Sequence, residues 1–122
     1  MIAYITLGTQ DIDRAAKFYD ALLADIGAGR IMQDDTFIAW ATAPNAPALS
    51  VIKPADGKAQ SVGNGVMVAL AAQSKEQVHT LHAKALALGG ADEGAPGPRG
   101  EGFYAGYFRD LDGNKLNVVY MG

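Results

Sequence analysis

The chain has 122 residues, 49% of them apolar and 19% charged, a composition that suits one compact globular domain and excludes an intrinsically disordered chain. A net charge of −3 and a pI near 5.1, with the lysines and arginines scattered, provide no basic field for phosphates and exclude an obvious nucleic-acid partner. No run of 18 apolar residues is present to span a bilayer, and the lack of cysteine excludes disulfides, thiolate catalysis and thiolate metal sites.

In chain order, Ile2 to Leu7 alternates as a half-buried strand does, with no charged leader ahead of it, so no membrane and a cytoplasmic location are expected. Asp11 then caps a helix whose apolar residues Ile12, Ala15, Ala16, Tyr19, Leu22, Leu23 and Ile26 form one broad stripe, and Gly27 supplies the stop. Three strands are predicted at Arg30 to Gln33, Thr36 to Ala43 and Ala48 to Lys53, separated by Asp34-Asp35 and by Pro44-Asn45-Ala46-Pro47. The polar, aperiodic stretch 56–64 reads as a connection between a first unit, 1–55, and a second, 65–122.

The second unit repeats the order. Gly65 to Ala71 reads as a strand, and Ser74 with Gln77 forms a capping box in which each side chain serves the other's backbone donor. A helix bearing Val78, Leu81, Ala85 and Leu88 on its apolar face runs to Gly89-Gly90. Strands follow near Ala91 to Gly94, Phe103 to Arg109 and Lys115 to Tyr120, with Asp112-Gly113 in the last hairpin turn. The segment 95–102, with two prolines and three glycines, reads as a loop able to move. Tyr4 matches Met67, Asp11 matches Ser74 and Gly27 matches Gly90, each pair 63 positions apart. Such repetition predicts two copies of one β-α-β-β-β unit, packed so that a cleft lies between equivalent faces.

Those residues carry a resemblance. The run Asp11-Ile-Asp-Arg-Ala-Ala-Lys-Phe-Tyr19 behind a strand, Gly63-Asn-Gly65, Gly89-Gly90 and Tyr107-Phe-Arg-Asp-Leu-Asp-Gly-Asn114, in that order, resemble the glyoxalase, bleomycin-resistance and extradiol-dioxygenase family, the vicinal oxygen chelate superfamily. Leu111 departs from the proline usual in the family's last turn. The resemblance implies an α+β fold in which two tandem units form a cupped mixed sheet with the helices outside. It also implies a divalent metal held by a His in the first strand, a His or Gln in the first strand of the second unit, and a Glu in the last strand. The matching positions here are Tyr4, Met67 and Asn117, none a normal donor to a hard divalent ion, and 47–52 adds no His, Asp or Glu. Loss of the family metal is therefore expected, with no other cofactor.

The two histidines do not restore a site. His79 and His82 share a helical face with Glu76 one turn earlier, but one helix surface seldom closes a coordination shell, so His79 is read as solvated and His82 as packed. Asp110 and Asp112 read as turn formers that bond their own backbone. Gly63-Asn64-Gly65 precedes a strand rather than a helix, and Ser50, Ser61 and Ser74 lack a nucleophile elbow.

The cup implied by the resemblance is expected to be lined by Tyr4, Trp40, Met67 and Tyr107, with Asn117 as the polar contact and Arg99 at the rim, where it would clamp a carboxylate or phosphate. Tyr107 lies ten positions before the replaced Glu, as does an active-site tyrosine in dioxygenase relatives. The expected function is metal-free binding of a small planar or hydrophobic molecule. The alternatives are a glyoxalase- or dioxygenase-type enzyme with an atypical metal site, and a dimeric interaction module with a filled cup. A homodimer is expected, since relatives commonly pair and short sheets leave open edges.

Overall fold

In the computed structural model, which describes residues 1–122, the chain runs β1 (Tyr4–Gly8), α1 (Ile12–Ala24), β2 (Gly29–Gln33), β3 (Phe37–Ala41) and β4 (Ala48–Ile52). It continues through β5 (Val68–Ala71), α2 (Lys75–Ala87), β6 (Ala91–Pro98), β7 (Tyr104–Arg109) and β8 (Lys115–Tyr120). The β-α-β-β-β order is thus written twice, and the chain divides into two units, Met1–Val62 and Gly63–Gly122. Each holds a mixed four-stranded sheet, ordered β1-β4-β3-β2 in unit one and β5-β8-β7-β6 in unit two. The first strand pairs in parallel with the last, and the other pairings are antiparallel.

In unit one, Asp11 Oδ1 accepts a hydrogen bond from the Arg14 amide at 3.0 Å and so satisfies one of the free donors of the first turn. The expected apolar stripe is buried from Ile12 to Leu23, and Phe18 joins it. The helix stops at Ala24, two residues before Ile26, and Gly27 takes the left-handed φ of 77° that ends it. The stripe packs against β3 and β4, whose Ile38, Trp40, Leu49 and Val51 share the helix-covered face. Full burial of side chains such as Leu22 and Leu23 stabilises by about 1.5–3 kcal/mol each, which makes this layer the core of the unit.

In unit two, Ser74 Oγ accepts from the Gln77 amide at 3.1 Å, as expected of a cap. The return bond differs from the expected box: Gln77 Oε1 takes the Gln73 amide, at 2.8 Å, instead of that of Ser74. Val78, Leu81, His82 and Ala85 of α2 are buried, and α2 packs against β6, β7 and β8. β5 begins at Val68 rather than Gly65, because Gly65 has φ of 89° and the Val66 amide closes a turn on Gly63 O.

The segment 95–102 is not the loop that its prolines and glycines suggested. β6 runs unbroken to Pro98, paired with β7 as far as Pro98 opposite Tyr104. Register shifts between Asp92 and Gly94 and between Gly94 and Gly97 absorb the irregular residues, so Pro96 falls where the ladder skips. A short turn follows, in which the Arg99 amide donates to Phe103 O at 2.8 Å.

Candidate functional site

Alternation along the strands and the pairing register give each sheet a helix-covered face and an opposite, helix-free face. In unit one the helix-free face carries Tyr4, Ala48, Ser50, Ala39 and Phe37. Its floor is made of small residues: Ala39, Ala41 and Ala48 form a buried cluster, and Ser50 beside them is buried with its hydroxyl unpartnered. The Tyr4 and Phe37 rings meet edge to face, 6.2 Å apart, with Tyr4 still 60% exposed.

In unit two, Asn117 of β8 lies between Ala69 of β5 and Tyr107 of β7, its direct register partners. It is 1% exposed, yet neither its Oδ1 nor its Nδ2 has a hydrogen-bond partner. A buried carboxamide in that state costs about 1–3 kcal/mol. The Arg99 guanidinium lies over the Tyr107 ring at 5.4 Å, and Lys115 Nζ lies 5.6 Å from the same ring. Gly97 keeps this place open for Arg99, since a Cβ there would stand 3.1 Å from Nη1.

Behind Tyr107, His82 secures the strand from the helix side. Its Nε2 lies 3.1 Å from Tyr107 O and 3.2 Å from Asp92 Oδ1. A carbonyl only accepts, so Nε2 carries the proton. The Gly94 amide, then His82, hold the Asp92 carboxyl below its ordinary range. His79 is exposed and meets the Tyr104 hydroxyl at 2.6 Å. Asp110 is the organiser of the last turn, with Oδ1 accepting from the Asp112 and Asn114 amides and Oδ2 from Asn114 Nδ2.

Of the expected site residues, Tyr107, Asn117 and Arg99 are brought together on the helix-free face of unit two. Tyr4 lies on the corresponding face of unit one, and Met67 stands exposed just ahead of β5. Trp40 is placed differently. It is 1% exposed on the helix-covered face, 5.6 Å from the Tyr19 ring, with Nε1 donating to Asp20 Oδ1 at 2.8 Å. It is a core residue, removed from any ligand on the open face, because strand alternation pairs it with Leu49 and Ile38 rather than with Ala39. Lys115 escaped the sequence reading although its spacing of two from Asn117 put it on the same face; Ser50 escaped as a small strand residue with no chemical context.

The residues do not fit the metal of the resembled family. No group of three or more His, Cys, Asp or Glu is gathered in the chain. At the matching positions stand a phenol, a thioether and a carboxamide, and Arg99 and Lys115 add positive charge beside the last, which disfavours a dication. Elsewhere, a hollow of about 790 Å³ beside α1 sets Asp13, Asp34 and Asp35 against Lys17, Arg30 and Lys53, with no charge of one sign in excess.

No curated protein matches the chain. The crystal structure of a glyoxalase/bleomycin resistance protein from Albidiferax ferrireducens T118 is 35% identical, with a TM-score of 0.89 over 98% of this chain and 97% of that one. Hypothetical protein SA1046 from S. aureus is 25% identical, with a TM-score of 0.76 over 98% of this chain and 92% of that one. A glyoxalase-related enzyme from Fulvimarina pelagi, 22% identical, shares the fold with a TM-score of 0.77 over 98% of this chain and 86% of that one. Residues 1–118 match the family model of the Glyoxalase/Bleomycin resistance protein/Dioxygenase superfamily. With the doubled β-α-β-β-β order and this match over nearly its whole length, the chain belongs to that superfamily, as a member whose expected metal-ligand positions hold Tyr4, Met67 and Asn117.

Proposed function

We propose that this protein binds a small planar or hydrophobic molecule on a helix-free sheet face, without a metal ion and in the cytoplasm. The observation that carries the reading is Asn117: buried, unpartnered at both polar atoms, and set beside Tyr107 where the family's carboxylate ligand is expected. A carboxamide can orient a ligand by donating and accepting at once, but it brings no charge to hold a metal. No helix of the chain is long and apolar enough to cross a membrane.

The test joins two measurements on the purified chain. After incubation with zinc, manganese, nickel and ferrous ions in turn and removal of unbound ions, elemental analysis is expected to find almost no metal. Titration with 2-naphthamide, a flat neutral probe, is expected to shift the NMR signals of Asn117 and Tyr107 saturably. Metal near one ion per chain would overturn this reading in favour of a metal-dependent lyase or dioxygenase.

We also propose that the chain forms a homodimer, with the edge strands available to a second copy. The support is β2, an edge strand exposed throughout that presents Ile31 and Met32 to solvent, a surface that natural sheets usually cover or charge. Sedimentation equilibrium is expected to give twice the chain mass; a monomer at every concentration would refute this part.

A further inference from the structure

The helix-free face of unit two holds positive charge that the fold does not neutralise. Arg99 donates only to carbonyl oxygens, Ala95 O at 2.6 Å and Pro98 O at 3.4 Å, and pairs with no carboxylate. Lys115 stands near Glu93, but Glu93 is engaged by Arg109 at 2.6 Å. Counting Arg99, Arg109 and Lys115 against Glu93 and its neighbour Asp92 leaves this patch with one positive charge in excess. Both cations converge on Tyr107, whose direct cross-strand partner is the unsatisfied Asn117.

We infer that the ligand is a planar carboxylate, its carboxylate held by Arg99 and Lys115 against the Tyr107 ring and a second polar atom met by the Asn117 carboxamide. This rests on the reading that the helix-free face is a binding site, and adds the chemical class of what is bound. The guanidinium fork matches the two oxygens of a carboxylate, while the ring and the guanidinium plane offer flat surfaces for stacking. A phosphate is disfavoured because the face is built of strands and lacks the helix N-terminus with converging amides that such anions use. Asn117 stands directly opposite Tyr107 in the ladder, so an acid with an additional hydroxyl or carbonyl meets it without a charge mismatch.

The experiment compares 2-naphthoate, 2-naphthamide and phenyl phosphate on the intact chain at neutral pH and low salt, read by NMR shifts of the Asn117 side-chain amide and the Tyr107 backbone amide. The naphthoate is expected to bind about tenfold or more tightly than the isosteric naphthamide, and the preference to vanish in Arg99→Gln/Lys115→Gln and to shrink in high salt. Equal binding of naphthoate and naphthamide would overturn the carboxylate inference and leave the binding face standing. Tighter binding of phenyl phosphate would also overturn it. If none of the three moves Asn117, both the inference and the proposed function fall. The comparison within the unaltered chain is decisive by itself should the double variant fold poorly.

Discussion

Ser50 and Asn117 occupy equivalent places in the two units: each lies in the last strand of its sheet, on the helix-free face, and is buried with unpartnered polar atoms. The pairings show the equivalence, since Ser50 is the partner of Thr6 and Asn117 the partner of Ala69, and Ala69 lies 63 positions beyond Thr6. The repeat thus extends to an energetic feature. Asn117→Leu, which replaces both orphaned polar atoms by methyl groups on the same branched skeleton, should stabilise the fold by about 1–2 kcal/mol and abolish probe binding. Ser50→Ala should stabilise by up to about 1 kcal/mol. Urea denaturation measures both, and a loss of stability in Asn117→Leu would mean that the carboxamide is satisfied in solution.

Asp20 joins α1 to the sheet by accepting from Arg30 at 2.9 and 2.7 Å and from Trp40 Nε1 at 2.8 Å. The Arg30 hydrogen bonds first, opposed by burial, then Trp40 and the Arg30 charge, hold its carboxyl below the ordinary 3.8. A lowered folded-state value contributes stability above the unfolded value and loses it as pH falls through the folded one. Acid titration of stability should therefore steepen below about pH 4, and Asp20→Asn should flatten that part of the curve. An unchanged acid limb in Asp20→Asn would show that the pair is too exposed to count.

Trp40→Phe tests the placement of the indole on the helix side. It should lower stability by about 1–2 kcal/mol through the lost Asp20 contact and reduced packing, while binding of a flat probe changes less than about twofold. A tenfold loss of binding without unfolding would place the indole at the ligand after all.

Gly90 supports the junction of α2 and β6 by close approach rather than by handedness. A Cβ there would lie 2.7 Å from Arg109 O and 2.8 Å from Ala85 O, both backbone atoms that cannot swing aside. Gly90→Ala should destabilise by at least about 1–3 kcal/mol. Its neighbour Gly89 has φ of 103°, so two adjacent glycines serve two different needs. A thermal melt unchanged in Gly90→Ala would refute the crowding.

Much of this fold was legible because its signals are local. The stripe from Ile12 to Leu23, the Asp11 and Ser74 caps and the 63-residue repeat report helix faces and boundaries directly, and they place Tyr107 and Asn117 on neighbouring strands. Segment 95–102 misled because proline and glycine penalise a regular ladder, whereas β6 is bulged and asks for no bond at the skipped positions. Trp40 misled because a large aromatic in a strand suits either face of a sheet, and only the register with β4 assigns it to the side of Tyr19 and Asp20.

The sequence by itself determined the two β-α-β-β-β units, the superfamily and the absence of imidazole or carboxylate at the expected metal positions, since residue identity and periodicity survive without coordinates. Tertiary structure alone decided that Arg99 and Lys115 converge on Tyr107, that Asn117 is buried with nothing to bond, and that Trp40 belongs to the core. Those are relations between strands distant in sequence, set by pairing register and by bulges, and a shift of one residue in either would turn the side chains to the other face.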